Sequence, residues 1–331
     1  MIYTPAYTVL RMWRGVRAAY VRRMPEGTSA PVTLAGTTIT EAVLDAAGAD
    51  AVRRGDRVAL VDPGKRLGHA EFAETVAAAA HGLRQHGVRR GDVGAIHVSG
   101  VCDLALAVHA VGAAGAVPAP LPPDAEPAEV AHLMNASGAR FLLTGEGTAA
   151  RALAGAERSY VRQVFAFGDV PGTTPFARLL EKGPGAAPPP PDPLRDPALR
   201  LCVPPEEITH ADRLADLYRL GGALGLGDGD VLVLPGQDVT VPTWVGLVDL
   251  CLSQGVTLVG VPGPEPRDVL EAIREHEATA AVVTPAKLRA IAFDHARALV
   301  PDVRLLVTAA PAAEAVRACR TRHGWTVAPL P

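Results

Sequence analysis

The stretch GDVGAIHVSGVCDLALAVHAVGAAGAVPAPLPPDAEPAEVAHLMNASGARFLLT (91–144) recurs in outline as GDVLVLPGQDVTVPTWVGLVDLCLSQGVTLVGVPGPEPRDVLEAIREHEATAAVVT (229–284). Each copy opens on Gly-Asp-Val and an apolar run, passes a helix-like segment to a glycine (Gly115, Gly255), and bends through prolines. An amphipathic stretch follows (127–138, 267–277), then a closing strand-like run (140–144, 280–284). The interval from Gly115 to Thr144 equals that from Gly255 to Thr284. Such self-similarity marks a repeated structural unit. Short apolar runs alternating with helical patterns predict parallel strands with helices on the faces. Gly115 and Gly255 fit helix-ending caps. The expected fold class is α/β: two β-α-β-α-β lobes of mainly parallel sheet flanked by helices, related by an approximate two-fold across a crevice.

Working outward, a further helical pattern precedes each copy, at 71–85 and at 210–224. Residues 35–182 then form a first lobe and 197–331 a second. Between them, 183–196 opens with Gly-Pro-Gly-Ala-Ala and four prolines, which predicts an extended surface connector without regular structure. Residues 1–34 are expected to carry a basic amphipathic helix. Val9, Trp13, Val16 and Tyr20 share one face, and Arg11, Arg14, Arg17 and Arg22 lie elsewhere. That helix would either dock an acidic carrier protein or second subunit, or cover an edge of its own chain.

Composition narrows the function classes. Of 331 residues, 48% are hydrophobic and 20% charged, as in a soluble globular protein. Aromatic residues are 4%, so the core must rest on Ala, Val and Leu. A net charge of −3 removes the electrostatic case for nucleic acid. Lysine occurs only at Lys65, Lys182 and Lys287. Cys102, Cys202, Cys251 and Cys319 are far apart, with no CxxC pair, which predicts reduced thiols, a cytoplasmic setting and no zinc site. Arginines break the N-terminal apolar run, unlike a secretory signal. The most apolar stretch, 104–120, contains His109, Gly112, Gly115 and Pro118, and reads as a buried helix and strand rather than a membrane span.

Four segments carry a resemblance: TITEAVLDAAGADAVRRGDRVALVD (38–62), HAEFAETVAAAAHGLRQHGVRRGDVGAIHVSG (69–100), GAAGAVPAPLPPDAEPAEVAHLMNASGARFLLT (112–144) and VFAFGDVPGTTPFARLL (164–180). Together they resemble adenylate-forming enzymes, specifically acyl- or aryl-CoA ligases of the 4-coumarate–CoA ligase and fatty-acyl-CoA synthetase type. The resemblance covers about residues 35–331. It implies the N-terminal subdomains of such ligases, without the C-terminal domain.

Three places depart from that family. A loop of the form TSGTTGxPKG normally follows an apolar strand and precedes a Thr-His helix start, wrapping ATP phosphates with amides, hydroxyls and a lysine. Here the strand (197–201) and the helix start Thr209-His210 remain, but only Cys202-Val203-Pro204-Pro205-Glu206-Glu207 joins them. That bridge has no Gly, Ser, Thr or Lys; its prolines lack amide donors, and its carboxylates repel a triphosphate. Second, 301–327 resembles the family's SGAAPL segment, but the chain then runs through Ala328-Pro329-Leu330-Pro331 rather than into QGYGxTE. The ribose-binding Asp, the hinge and the catalytic Lys of the C-terminal domain are accordingly expected to be missing. Third, the family's LPLFHxxG stretch corresponds to 234–243, where Asp238 would oppose a carboxylate and suit a neutral thioester or hydroxylated ring.

The resemblance and its departures imply a catalytically degenerate ligase-like protein, not competent for ATP-dependent adenylation, with no cofactor and no metal. It would bind an acyl or aryl thioester, or another small hydrophobic acid-derived ligand, in a biosynthetic pathway. Two alternatives stay open: a repurposed ATP-independent enzyme of cyclase or dehydratase type, and a scaffolding pseudoenzyme. Candidate ligand-binding residues are Gln237, Asp238, Thr240, Thr243 and His210, since loops at the carboxyl ends of strands are the usual ligand place in open α/β sheets. His210 reads either as a general base or as an inherited helix-start residue. Cys202 is expected to be an inert thiol, and Glu206 and Glu207 to lie in a solvated loop or helix start. Candidate partners are an acyl carrier protein, another biosynthetic enzyme or a second copy of the chain, with no nucleic acid and no membrane.

Overall fold

Helix α1 (Ile39–Arg54) begins on a reciprocal cap: the Thr38 hydroxyl accepts from the Glu41 amide, and the Glu41 carboxylate accepts from the Thr38 amide. The computed structural model describes residues 36–331 except 203, 262, 264 and 295–301. The helix expected within 1–34 lies outside these residues.

A hairpin of β1 (Val58–Asp62) and β2 (Lys65–Gly68) leads into α2 (His69–Gln85). The first repeat follows as β3 (Val93–His97), α3 (Val101–Ala113), β4 (Val117–Pro120), α4 (Pro127–Ser137), β5 (Phe141–Gly145), α5 (Ala149–Ala156), β6 (Gln163–Phe167), β7 (Thr174–Pro175) and α6 (Phe176–Leu180). Past the connector, a second hairpin, β8 (Pro197–Cys202) and β9 (Pro205–Thr209), leads into α7 (His210–Leu224). The second repeat is β10 (Val231–Leu234), α8 (Val241–Gln254), β11 (Thr257–Gly260), α9 (Pro266–Glu275), β12 (Ala280–Val283), α10 (Pro285–Phe293), β13 (Arg304–Val307), α11 (Ala313–His323) and β14 (Thr326–Pro329).

The strand orders match. The first sheet runs β4-β3-β5-β6-β7, and the second contains β11-β10-β12-β13-β14, parallel throughout in both. Both repeats therefore have the expected parallel α/β topology. Every residue of β3 and of β5 is buried, as strands covered by helices on both faces require. Glycines with positive φ turn the chain at corresponding points, Gly115 at +84° after α3 and Gly255 at +72° after α8.

The hairpins cross over. Strand β1 pairs in parallel with β11, matching Leu60 to Leu258 and Val61 to Val259, so β1 and β2 extend the second sheet. Strand β8 packs against β4, the first-sheet counterpart of β11. Each repeat thus covers the edge of the other's sheet with its own leading hairpin. The sheets accordingly do not divide at the connector: residues 58–68 fall in the expected first lobe of 35–182 but join the second sheet. An unpaired apolar edge invites a partner strand, and β1, buried at Ala59 and Leu60, supplies one.

The connector is irregular and strapped to the first repeat. Arg84 Nη2 donates to the Ala186 carbonyl at 2.7 Å, and Arg90 pairs with Asp196 at 2.5 Å. Among the described residues, no helix is long and apolar enough to cross a membrane.

Candidate ligand site at the strand ends

Strand β10 ends in a short 3-10 turn, Gly236–Asp238, closed by the Asp238 amide donating to the Pro235 carbonyl at 3.0 Å. Helix α8 starts after Thr240, with Pro242 in its first turn, where a missing N–H costs nothing. Thr240 and Thr243 share a hydrogen bond between hydroxyls at 2.9 Å. The turn backbone lies on the buried Trp244 indole, because a Cβ at Gly236 would come within 2.9 Å of that ring. Gln237 and Thr240 are exposed.

Asp238 is committed elsewhere. Its carboxylate lies 2.7 Å from the Lys287 ammonium, with the two side chains 8% and 9% exposed. Lys287 sits in the first turn of α10, its amide donating to the Thr284 hydroxyl at 3.2 Å. The pair corrects the expectation of an unopposed negative charge at this loop: a buried cation neutralises it. Lys287 was not among the candidate residues, although its rarity in an arginine-rich chain was a signal.

The structure brings Gln237, Asp238 and Thr240 onto one loop, sets Thr243 in the first turn of α8, and places His210 in a separate cluster. His210 is the first residue of α7, behind a reciprocal Thr209–Asp212 cap. Burial, reinforced by the Arg213 charge and opposed by Asp196, pushes its pKa down to about 4. At neutral pH the imidazole is therefore uncharged, and its Nδ1 has no hydrogen-bond partner among the described residues.

Arg213, one turn on from His210, joins a buried triad. Its Nη2 donates to Asp249 Oδ2 at 2.6 Å and its Nη1 to the Ala198 carbonyl at 3.0 Å. His109 Nε2 meets Asp249 Oδ1 at 3.1 Å. Burial works against the charge on Asp249, yet Arg213 and His109 hold its carboxyl below the ordinary value. A cavity of about 100 Å³ lies beside this triad, lined by Leu199, Arg213, Leu220, Thr243, Gly246 and Asp249. Thr243, in the first turn of α8, thus joins the loop through Thr240 and also lines the cavity wall. A larger, open cavity of about 390 Å³ lies between α2 and α6, at His86 and Arg178. Its lining includes neither the loop nor the triad, so it is a surface cleft and not part of the candidate site.

Strands β8 and β9 are joined directly, with Cys202 opposite Pro205. Glu206 and Glu207 are ladder residues of β9, not the loop or helix start expected of them. Glu207 pairs with Arg200, whose Nη1 also donates to the Ser137 carbonyl at 2.8 Å. Burial raises the pKa of the Cys202 thiol, which keeps it protonated.

The first repeat carries its own charge pair, Lys65 with Asp103 at 2.5 Å, and Lys65 also sits 5.0 Å over the Phe167 ring. Asp62 accepts from the Val101 and Cys102 amides at 3.0 and 2.8 Å, capping α3. Among the described residues, no three His, Cys, Asp or Glu side chains group as metal ligands do.

Comparison with known proteins bears on this geometry. Residues 48–200 match the family model described as AMP-binding enzyme. The salicyl-AMP ligase / salicyl-S-ArCP synthetase of Mycobacterium tuberculosis is 31% identical over 269 residues, which are 73% of this chain and 46% of that protein. A long-chain-fatty-acid–CoA ligase from Archaeoglobus fulgidus superposes with a TM-score of 0.76 at 19% identity, covering 87% of this chain and 62% of that one. The apo structure of MbtA from Mycobacterium smegmatis superposes at 0.69 with 26% identity, covering 86% and 55%. The chain spans about half the length of the curated relative.

Proposed function

The chain carries an AMP-binding domain of the adenylate-forming superfamily, of acyl/aryl-CoA ligase-like type, and from that premise we propose that it binds an acyl or aryl group without adenylating it. The direct β8–β9 hairpin carries this reading. Adenylation requires donors and a cation around the phosphates while charge moves between them, and that positioning supplies most of the catalysis. In the hairpin the backbone is spent on its own ladder, Leu201 against Glu206 and Cys202 against Pro205. Pro204 and Pro205 have no amide hydrogen, and the one cation of the hairpin, Arg200, is already paired with the Glu207 carboxylate.

The ligand side favours a small ring over a long chain. Of the candidate residues only Thr243 lines the cavity of about 100 Å³, which opens past the exposed Asp216 and Arg219 and has room for a group of benzene size rather than a fatty acyl tail. The M. tuberculosis relative, named for a salicyl group and for salicyl-S-ArCP, points the same way. The general-base reading of His210 finds no support: a pKa of about 4 makes it a weak base near neutral pH.

Thermal shift and isotope exchange test the proposal. A bound ligand at a hundred times its dissociation constant stabilises by about 2.7 kcal/mol, so a null result is readable. ATP with magnesium should leave the melting temperature unchanged, and S-benzoyl-N-acetylcysteamine should raise it. A magnesium-dependent ATP shift, or pyrophosphate exchange with any aryl or acyl acid, overturns the proposal.

A further inference from the structure

We infer that copies of this chain associate head to tail, the basic amino-terminal end of one copy's first sheet docking on the acidic amino-terminal end of the next copy's second sheet.

Equivalent backbone bonds locate the two surfaces. The Arg140 amide donates to the Val93 carbonyl at 2.9 Å, and the Thr279 amide to the Val231 carbonyl at 3.0 Å. One strand further on, Arg162 donates to the Arg140 carbonyl and Arg304 to the Thr279 carbonyl, both at 2.9 Å. Two residues before each of these amides, Gly138 corresponds to Glu277 and Tyr160 to Asp302.

The first sheet's end is basic and aromatic. Arg140, Arg158 and Arg162 are exposed, and Tyr160 is 80% exposed. Arg140 reaches Asp92 at 3.5 Å, while Arg158 and Arg162 have no carboxylate partner among the described residues. Glu157 is the only acidic residue between 147 and 168. Asn135 fixes the loop, donating to the Arg158 carbonyl at 3.1 Å and accepting from the Tyr160 amide at 3.3 Å. Little ordering is then left to oppose docking. Tyrosine and arginine are the residues that anchor interfaces, and the guanidinium fork fits a carboxylate.

The second sheet's end is acidic. Glu277 and Asp302 are exposed, and neither carboxylate has a partner among the described residues. Half-buried Arg304 is the opposing charge beside them. Both acids hold positive φ, +50° and +58°, and no other described residue except glycine does so. Gly138 holds +69° at the position equivalent to Glu277, so the backbone of the repeat favours glycine there. An acid kept at each strained position, with no role inside its own chain, points to a cation on another molecule. The first sheet's end supplies such cations at equivalent positions. A net charge of −3 sets little repulsion between copies. The contact lies opposite the carboxyl ends of the strands, where open sheets take ligands, and leaves that crevice free.

Sedimentation of the full chain tests the inference. At about 0.01 M ionic strength, where charges act over about 30 Å, the average mass should climb with protein concentration. It should fall back to the monomer near 1 M, where charges act over about 3 Å. Arg158→Gln/Arg162→Gln and Glu277→Gly/Asp302→Asn should each stay monomeric at low salt. The second variant should also melt higher than the wild-type chain, because it relieves the backbone. Mixed one to one, the two variants should form a dimer and stop there, since each keeps one intact surface, whereas the wild-type contact repeats from copy to copy. A wild-type chain that is monomeric at the lowest salt and highest concentration overturns the inference. So does association that survives Glu277→Gly/Asp302→Asn, or a mixture of the two variants that stays monomeric. A monomeric chain whose Arg158 and Arg162 instead bind phosphatidylserine vesicles assigns the basic end to a membrane, and the inference fails.

Discussion

His109 and Asp249 occupy the same position in the two repeats and touch each other, Nε2 to Oδ1 at 3.1 Å and 140 residues apart in the chain. The same separation relates Gly115 to Gly255, and α3, starting at Val101, to α8, starting at Val241. The two helices pack together, so equivalent residues meet where the repeats are related to each other. Two identical charges could not share such a place. The repeats have diverged there into complementary groups, with Arg213 holding the other carboxylate oxygen at 2.6 Å.

Removing one member should cost more than removing all three. Asp249→Ala leaves the Arg213 charge buried and unopposed, and should lower unfolding stability in urea by about 3–5 kcal/mol. The triple change His109→Leu, Arg213→Met, Asp249→Leu should lie much closer to the wild-type value. A triple variant as unstable as Asp249→Ala would contradict this account.

Acid should weaken the fold well above the range of ordinary carboxylates. Burial lowers both His97 and His210 from 6.5 to about 4, with Arg151 and Arg213 adding to the effect. Between those pH values the unfolded chain binds protons that the folded chain refuses, so stability rises with pH. The contribution is complete above about pH 6.5 and is lost toward pH 4, at up to about 1.4 kcal/mol per pH unit for each group. Asp249, depressed as a carboxylate, gives way only below its ordinary range. Denaturation across pH should show the slope, and His210→Gln should reduce it.

Gly82→Ala should destabilise, against its helix propensity. Alanine normally gains about 1 kcal/mol over glycine inside a helix. A Cβ at this position, however, would overlap the Leu179 carbonyl oxygen, which is rigid backbone. Forcing α2 and α6 apart should cost about 1–3 kcal/mol. A higher melting temperature for Gly82→Ala would show that the helices separate freely.

Asp62→Ala should lose a helix cap supplied from outside the helix. Residue 100 is glycine and offers no side chain, so the first amides of α3 depend on the Asp62 carboxylate. The loss should be about 1–2 kcal/mol in chemical denaturation, and Asp62→Asn, which keeps one acceptor oxygen for two amides, should recover only part of it.

The repeat was legible because its marks are local. Gly115, Thr144, Gly255 and Thr284 punctuate strands and helices, and neither depends on distant partners. The hairpin exchange was not legible, since Val58 to Asp62 reads as the same apolar strand whichever sheet receives it. Asp238 was singled out from the sequence, but its charge was judged alone, because Lys287 arrives from a strand end far along the chain. His210 was grouped with the 237–243 loop through their shared motif neighbourhood, yet its buried ring answers to Arg213 and Asp196. Glu206 and Glu207 read as a polar loop until Cys202 and Pro205 are seen facing each other.

The crossed hairpins also set a schedule for synthesis. The carbonyl of Val58 accepts from the hydroxyl of Thr257, 199 residues downstream. A ribosome adding about 5–20 residues per second needs about 10–40 seconds to cover that interval. For most of it, β1 has left the exit tunnel and its parallel partner β11 does not yet exist. The nascent first half therefore waits with an open apolar strand, the kind of surface that chaperones hold and aggregates recruit. A polypeptide cut at the connector would be left in that state permanently.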